Sequence, residues 1–374
     1  MAGTSAADGY MRVGYAKLFS LCQRLFVGYG FSKEQSYIIT ESLLKTDLSG
    51  IESHGVQRMI RYHLAIGEGM VNINAQPEIV HETPISAVID AKDAMGQVVG
   101  YDAMRIAIEK AKITGIGMVA VRNSNHYGIA GYYATMAARE DLIGFCMTNS
   151  EAIMVPTFGK KAFLGTNPIC VAMPADPEPF IFDAATAVVT RGKLEVYNKR
   201  SAPIPDGLAL DERGLPCTDA GRVIDNINKK NGGGILPLGG YGEETSGYKG
   251  FGFGMICELF TAIAAGGPPS HRTYITPGKA ETSQCFWAMD YGVFGEKNAI
   301  RKNFSEMLED LRNQPKADGQ DRIYIHGEKE IESERRMRID GVPINEKTYG
   351  ELKMICETQG LDHAPYIGAE FISE

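Results

Sequence analysis

Long apolar runs, paired cysteines and excess positive charge are all missing from this 374-residue chain, and each absence removes a class of function. No stretch approaches the roughly 18 consecutive apolar residues that a membrane span needs. The seven cysteines, at 22, 146, 170, 217, 257, 285 and 356, form no C-x-x-C and no Cys/His cluster. Neither a disulfide framework nor a zinc site is therefore indicated, and they read as reduced core thiols of a cytoplasmic protein. Lys and Arg number 38 against 46 Asp and Glu, a net charge of −8, which argues against a nucleic-acid partner. The segment Met1 to Gly9 is small and polar, so no secretory leader is expected. Phosphate-binding signatures are missing too. No G-x-G-x-x-G lies between a strand and a helix, since Gly115-Ile116-Gly117 precedes a strand-like run, and no G-x-x-x-x-G-K-[ST] occurs. Serine elbows and H-E-x-x-H are likewise absent, and nothing calls for a metal.

What is present is an ordinary globular composition, 44% apolar and 22% charged, long enough for a substantial core. Ser32 and Gln35 have the spacing of a capping box ahead of a helix bearing Ile38, Ile39, Leu43 and Leu44. A second helix is expected over 53–67. Downstream, apolar strand-like runs (85–90, 117–121, 142–148, 169–173, 180–183) alternate with helical ones (97–112 and the segment after 131). This pattern predicts a layered α/β architecture. Region 199–247, rich in Gly, Pro, Asp and Lys, reads as a long surface excursion, and 251–265 as a buried helix.

Four groups of residues have chemical potential. The run Ile116–Val121 ends in Arg122-Asn123-Ser124-Asn125-His126-Tyr127-Gly128, which sets His126 where a buried strand gives way to a helix. That crevice is the usual ligand site of open α/β folds, and histidine moves protons near neutral pH; capping or turn-filling is the competing reading. In a helix over 53–67, His54 and Arg58 stand at i and i+4 on one face, suited to a substrate carboxylate, or else form a plain surface pair. Asp183 ends another apolar strand, where it can either partner His126 or cap a helix, and Arg191 and Lys193 follow it. Ser150 closes Thr148-Asn149-Ser150, and Lys249 lies between glycines in Gly247-Tyr248-Lys249-Gly250. Loop residues of these kinds are also common without any function.

Taken in order, five motifs form a pattern: Ser-Gly-x-x-Ser-His-Gly-x-x-Arg at 49–58, Ser-Asn-His-Tyr-Gly-Ile-Ala-Gly at 124–131, and Gly-Thr-Asn-Pro at 165–168. Asp183–Thr186 with Arg191-Gly192-Lys193, and Pro-Leu-Gly-Gly to Gly-Tyr-Lys-Gly over 237–250, complete it. Across about residues 12–365 the chain resembles the type-2 malate/L-lactate dehydrogenase family, which includes sulfolactate, ureidoglycolate and diketogulonate enzymes and cyclic-imine reductases. It departs from the pattern in Asp183-Ala184-Ala185-Thr186 and in an insertion, Glu243-Glu244-Thr245-Ser246, ahead of Gly247.

The resemblance implies a homodimer that uses NAD or NADP on a non-Rossmann, layered mixed-sheet α/β domain. A second α/β-helical domain would be formed by the N- and C-terminal segments. The expected division is 1–119 with 300–374 for substrate and dimerisation, and 120–299 for the dinucleotide. By the same resemblance His126 is the catalytic acid/base and Asp183 stands beside it. His54 and Arg58 hold the substrate, and Ser150, Asp183, Ala184, Ala185 and Lys249 contact the cofactor. The expected reaction is hydride transfer between nicotinamide and C2 of an L-2-hydroxy or 2-oxo acid, malate or lactate first. The alternatives are a cyclic imine or another 2-oxo acid of the sulfopyruvate, ureidoglycolate or diketogulonate type, or a non-catalytic dinucleotide-binding protein.

Overall fold

The computed structural model describes residues 10–368; Met1–Gly9, on which the reading of the N-terminus rests, lies outside them. The chain opens with β1 (Tyr10–Val13), α1 (Tyr15–Tyr29), α2 (Lys33–Leu48) and α3 (Met59–Gly67). Strands β2 (Glu78–Glu82) and β3 (Ser86–Asp90) then lead into α4 (Gly96–Thr114), β4 (Ile116–Ser124), α5 (Ala130–Arg139) and β5 (Ile143–Thr148). Next come β6 (Ile169–Met173), β7 (Phe180–Ala184), α6 (Arg191–Lys199), β8 (Ala209–Leu210), α7 (Ala220–Lys229), β9 (Gly234–Ile235) and α8 (Gly247–Glu258). The last elements are β10 (Thr282–Met289), α9 (Lys297–Asn313), α10 (Glu328–Asp340), β11 (Val342–Asn345) and α11 (Glu346–Thr358).

Seven strands form a mixed sheet in the order β2-β3-β4-β10-β5-β6-β7. Only β3 and β4 pair in parallel; every other neighbouring pair is antiparallel. Because β4 and β5 both run antiparallel to the β10 between them, they run parallel to each other, and β7 shares their direction through β6. The C-terminal ends of β4, β5 and β7 therefore lie on one edge of the sheet. At ~4.8 Å per strand step, this edge extends about 19 Å from β4 to β7.

One row crosses the sheet in register: Val119, Phe286, Cys146, Cys170 and Asp183. The first four belong to the apolar core beneath α4 and α5, and Asp183 ends the row. Glycines bring the helices close. A Cβ on Gly117 would lie 2.0 Å from the Ala107 carbonyl oxygen, and one on Gly144 2.2 Å from that of Ala134.

A second core joins the two chain ends: Leu18, Leu25, Leu43 and Tyr62 pack with Val342, Leu352 and Ile355, and β1 pairs with β11. The capping box at Ser32 and Gln35 forms as the spacing predicts, with both reciprocal hydrogen bonds made. The seven cysteines are all free and buried.

Strand β4 runs across positions 119 and 120, β2 and β3 belong to the same sheet as β5–β7, and α4 packs against that sheet. Several expectations are corrected. Region 199–247 is not simply a surface excursion. It carries α7, β8 and β9 and a third core, in which Leu194, Val223 and Ile235 pack against Met154 and Leu164. Its amphipathic helix is hidden in the sequence by the glycines around it. The stretch 251–265 is helical but only partly buried, passing from α8 into a π-helical turn at Leu259–Ile263. Met255, Leu259 and Ile263 remain 46–58% exposed along it. Finally, β10 is a strand that the alternating pattern does not reveal.

Candidate active site

The sheet edge collects what the sequence scatters. His126 follows β4 by two residues, Ser150 follows β5 by two, and Asp183 is the penultimate residue of β7, which ends at Ala184 just before Ala185. A buried amide sets the histidine in place: Asn125 Nδ2 donates to the carbonyls of Met70 (3.2 Å), Asp93 (2.9 Å) and Ala94 (3.1 Å). Gly96 allows the start of α4 to press on this turn. A Cβ there would sit 2.3 Å from the Asn125 oxygen and 2.5 Å from that of His126.

Opposite stands the segment between α2 and α3. It is not one helix but two short 3-10 turns, Glu52–His54 and Val56–Arg58, folded around Asp47. The Val56 amide donates to the Asp47 carboxylate (2.7 Å), and a Cβ on Gly55 would overlap that carboxylate. His54 and Arg58 thus reach the site without the i, i+4 helical register expected of them. Arg58 Nε donates to the Ser53 carbonyl at 2.6 Å, and Ser53 Oγ lies 2.9 Å from His54 Nδ1. Gly192, from the Arg191-Gly192-Lys193 motif, packs against Ser53.

The two histidines meet where these segments face each other, ring centroids 5.6 Å apart and 28° from parallel. His126 keeps a half-buried surface although protein surrounds its ring. Burial, then Arg61, His54 and Arg58, hold its pKa well below the usual histidine value. Burial, Arg58 and Arg61 bring His54 down to about 4. These surroundings favour the neutral form of both rings. Neither Arg58 nor Arg61 forms an ion pair among the described residues; Arg61 donates to the Tyr274 hydroxyl at 3.0 Å.

Asp183 does not partner His126. Its carboxylate accepts from the Gly131 amide at 2.6 Å, capping the first turn of α5 from a different element. It retains solvent access, yet burial of its surroundings raises its pKa to about 6, against the opposing effect of that amide. The partner of His126 is Tyr62, whose hydroxyl lies 2.7 Å from Nδ1 and accepts from Gln97 Nε2, also at 2.7 Å. Neither Tyr62, flanked by Arg61 and His63 on a helix, nor Gln97, set in an apolar run, belongs to a motif that marks it in the sequence. The available signal was Gln97 as the lone polar residue in Met95-Gly96-Gln97-Val98-Val99.

Ser150 Oγ accepts from the Thr166 amide (3.1 Å), so the Thr-Asn-Ser and Gly-Thr-Asn-Pro segments are bound together. Lys249 stands exposed on the first turn of α8, with no carboxylate partner among the described residues. Arg191 is engaged by Glu195 and Asn228. No cluster of metal-ligating side chains occurs among the described residues.

A family model described as malate/L-lactate dehydrogenase matches residues 13–353 of this chain. The chain belongs to the malate/L-lactate dehydrogenase family. It is accordingly an oxidoreductase. Malate dehydrogenase of Pyrococcus abyssi is 42% identical over 356 residues, spanning 95% of this chain and 96% of that one. L-sulfolactate dehydrogenase of Methanocaldococcus jannaschii is 37% identical over 342 residues, covering 91% and 94%. The crystal structure of malate dehydrogenase from Entamoeba histolytica superposes with a TM-score of 0.90 at 32% identity, covering 94% of this chain and 99% of that one. These matches extend over nearly the whole chain, beyond the segments that form the sheet.

Proposed function

We propose that this enzyme interconverts a 2-hydroxy acid carrying a second anionic group, malate foremost, and the corresponding 2-oxo acid, using NAD or NADP. The observation that carries the reading is the charge in the cleft: two guanidiniums, Arg58 and Arg61, beside two neutral histidines and without a carboxylate bound to either arginine. Two unneutralised cations in partly desolvated surroundings match a dianion, whereas lactate would leave one unpaired. The relatives that act on malate and sulfolactate agree with this preference.

His126 is the proposed acid/base, exchanging a proton at Nε2 with the substrate oxygen on C2. Arg58 orients the C1 carboxylate and His54 steadies it. A nicotinamide dinucleotide, when bound, supplies or accepts the hydride. Its fit rests on the sheet edge, where Ser150, Asp183, Ala184 and Ala185 follow His126 over an extended line and the small alanines leave room. Lys249 is the proposed contact for its phosphates. In this reading the mixed sheet replaces a doubly wound one as the dinucleotide platform, and the core of the chain ends is the second, substrate-facing unit. The exposed stripe Met255, Leu259 and Ile263 supports a homodimer.

The test is absorbance at 340 nm with NADH and NADPH against oxaloacetate, sulfopyruvate, pyruvate, diketogulonate and piperideine-2-carboxylate. Turnover confined to pyruvate or to the imine would refute the dianion reading. Nucleotide binding with silence on every substrate would favour a binding protein.

A further inference from the structure

Behind His126 lies a buried polar chain that the reaction as described so far does not use. Gln97 is fully buried at the start of α4, and Tyr62 is buried on α3. The Tyr62 oxygen is 2.7 Å from His126 Nδ1 on one side and 2.7 Å from the Gln97 amide on the other. Gln97 has one amide atom on Tyr62, while its oxygen has no partner. Turning the amide over exchanges these roles: the oxygen meets Tyr62 and the nitrogen is left over. Each setting leaves one buried amide atom unbonded, so neither is strongly preferred on hydrogen-bond grounds.

The two settings do different things to the histidine. With the amide nitrogen donating to Tyr62, the phenol must donate to Nδ1, and neutral His126 carries its proton on Nε2. With the amide oxygen accepting from Tyr62, the phenol accepts from Nδ1–H, and Nε2 presents a lone pair to the cleft. Only the second arrangement lets Nε2 take the proton of a substrate hydroxyl. The imidazolium so formed keeps Nδ1–H on Tyr62, and it returns the Nε2 proton to the substrate oxygen in the reverse direction. We propose that Gln97, acting through Tyr62, is a positioning residue whose amide orientation switches His126 between a resting tautomer and the proton-transferring one. The inference rests on His126 being the acid/base. The other groups facing its ring are His54, Arg58 and Arg61, which all disfavour added positive charge, while Asp183 is turned to the Gly131 amide.

The experiment compares Tyr62→Phe, Gln97→Glu and Gln97→Met with wild type, by the pH dependence of kcat and by 15N NMR of labelled histidine. Glutamate is nearly isosteric and, ionised, only accepts. It should hold the Nδ1–H tautomer and move the His126-dependent limb of the pH profile upward by about one unit, as a nearby opposite charge does. Gln97→Met and Tyr62→Phe should lower kcat about tenfold or more with KM changed less than about threefold, an effect confined to the proton-transfer step. They should also return His126 to a mixture of tautomers. A limb and a histidine spectrum unchanged in Gln97→Glu and Gln97→Met would overturn the proposal even if Tyr62→Phe failed to fold. Retained turnover in His126→Ala would instead remove His126 as the acid/base, a result distinct from a relay that fails while His126 stays essential.

Discussion

The Tyr62 hydroxyl occupies Nδ1 of His126 at 2.7 Å, so Nε2 is the only ring nitrogen left to meet a substrate. Removing the ring should therefore abolish proton transfer without touching the sheet edge beyond β5. His126→Ala is expected to reduce kcat about 10²- to 10⁴-fold. Dinucleotide affinity, read by calorimetry, should stay close to that of wild type. Lost nucleotide binding with undiminished kcat would reverse the assignment.

Arg61 donates to Tyr274 and has no acid to neutralise it among the described residues. Arg61→Gln should lower kcat/KM for oxaloacetate about 10- to 100-fold, the value of a charge-assisted hydrogen bond or two. Pyruvate turnover should be nearly unaffected. Arg58→Lys should raise KM for both acids, because a point charge cannot reproduce a bidentate fork. Equal losses on both substrates in Arg61→Gln would remove it as the reader of the second anion.

Gly96 is where α4 touches the turn that carries His126. Gly96→Ala would force a Cβ to within 2.3 Å of the Asn125 carbonyl oxygen. Over-packing of this kind costs about 1–3 kcal/mol, and here the displaced group is the turn that carries His126, the proposed acid/base. The expected result is a lower melting temperature together with a fall in kcat. A variant as stable and as active as wild type would show that the turn has slack.

The pH dependence of stability carries a sign that can be checked. His54 titrates near 4 when folded, against about 6.5 in an unfolded chain. Between those values the unfolded state binds more protons, so this group's contribution to stability is lost as pH falls from about 6.5 to 4 and is constant above. His54→Asn should show a shallower decline in melting temperature over that window than wild type. Parallel declines would mean that the folded ring accepts its proton readily.

Much of the fold was legible in the sequence. The apolar runs ending at Val121, Thr148 and Met173 became strands because branched and aromatic residues in short blocks suit a buried pleat. Ser32 and Gln35 capped their helix because that interaction is local. His126, Asp183 and Ser150 stood out by position, since each lies at or just past the end of a strand.

Their partners could not. Pairing Cys146 with Cys170 and Cys170 with Asp183, or inserting β10 between β4 and β5, depends on which strands adjoin, and no local preference encodes that. The sequence left Asp183 either as the companion of His126 or as a helix cap; the fold turned that carboxylate to the Gly131 amide at the start of α5 and brought in Tyr62 and Gln97, 64 and 29 positions away in the chain. By itself the sequence determined most of the strands and helices around the site, the family and the candidate reacting groups, because these rest on short-range pattern and residue chemistry. Tertiary structure alone decided which groups touch, and hence both histidines' low proton affinity. Burial and the approach of Arg58 and Arg61 are set by packing between two separate cores, at a distance no spacing in the chain records.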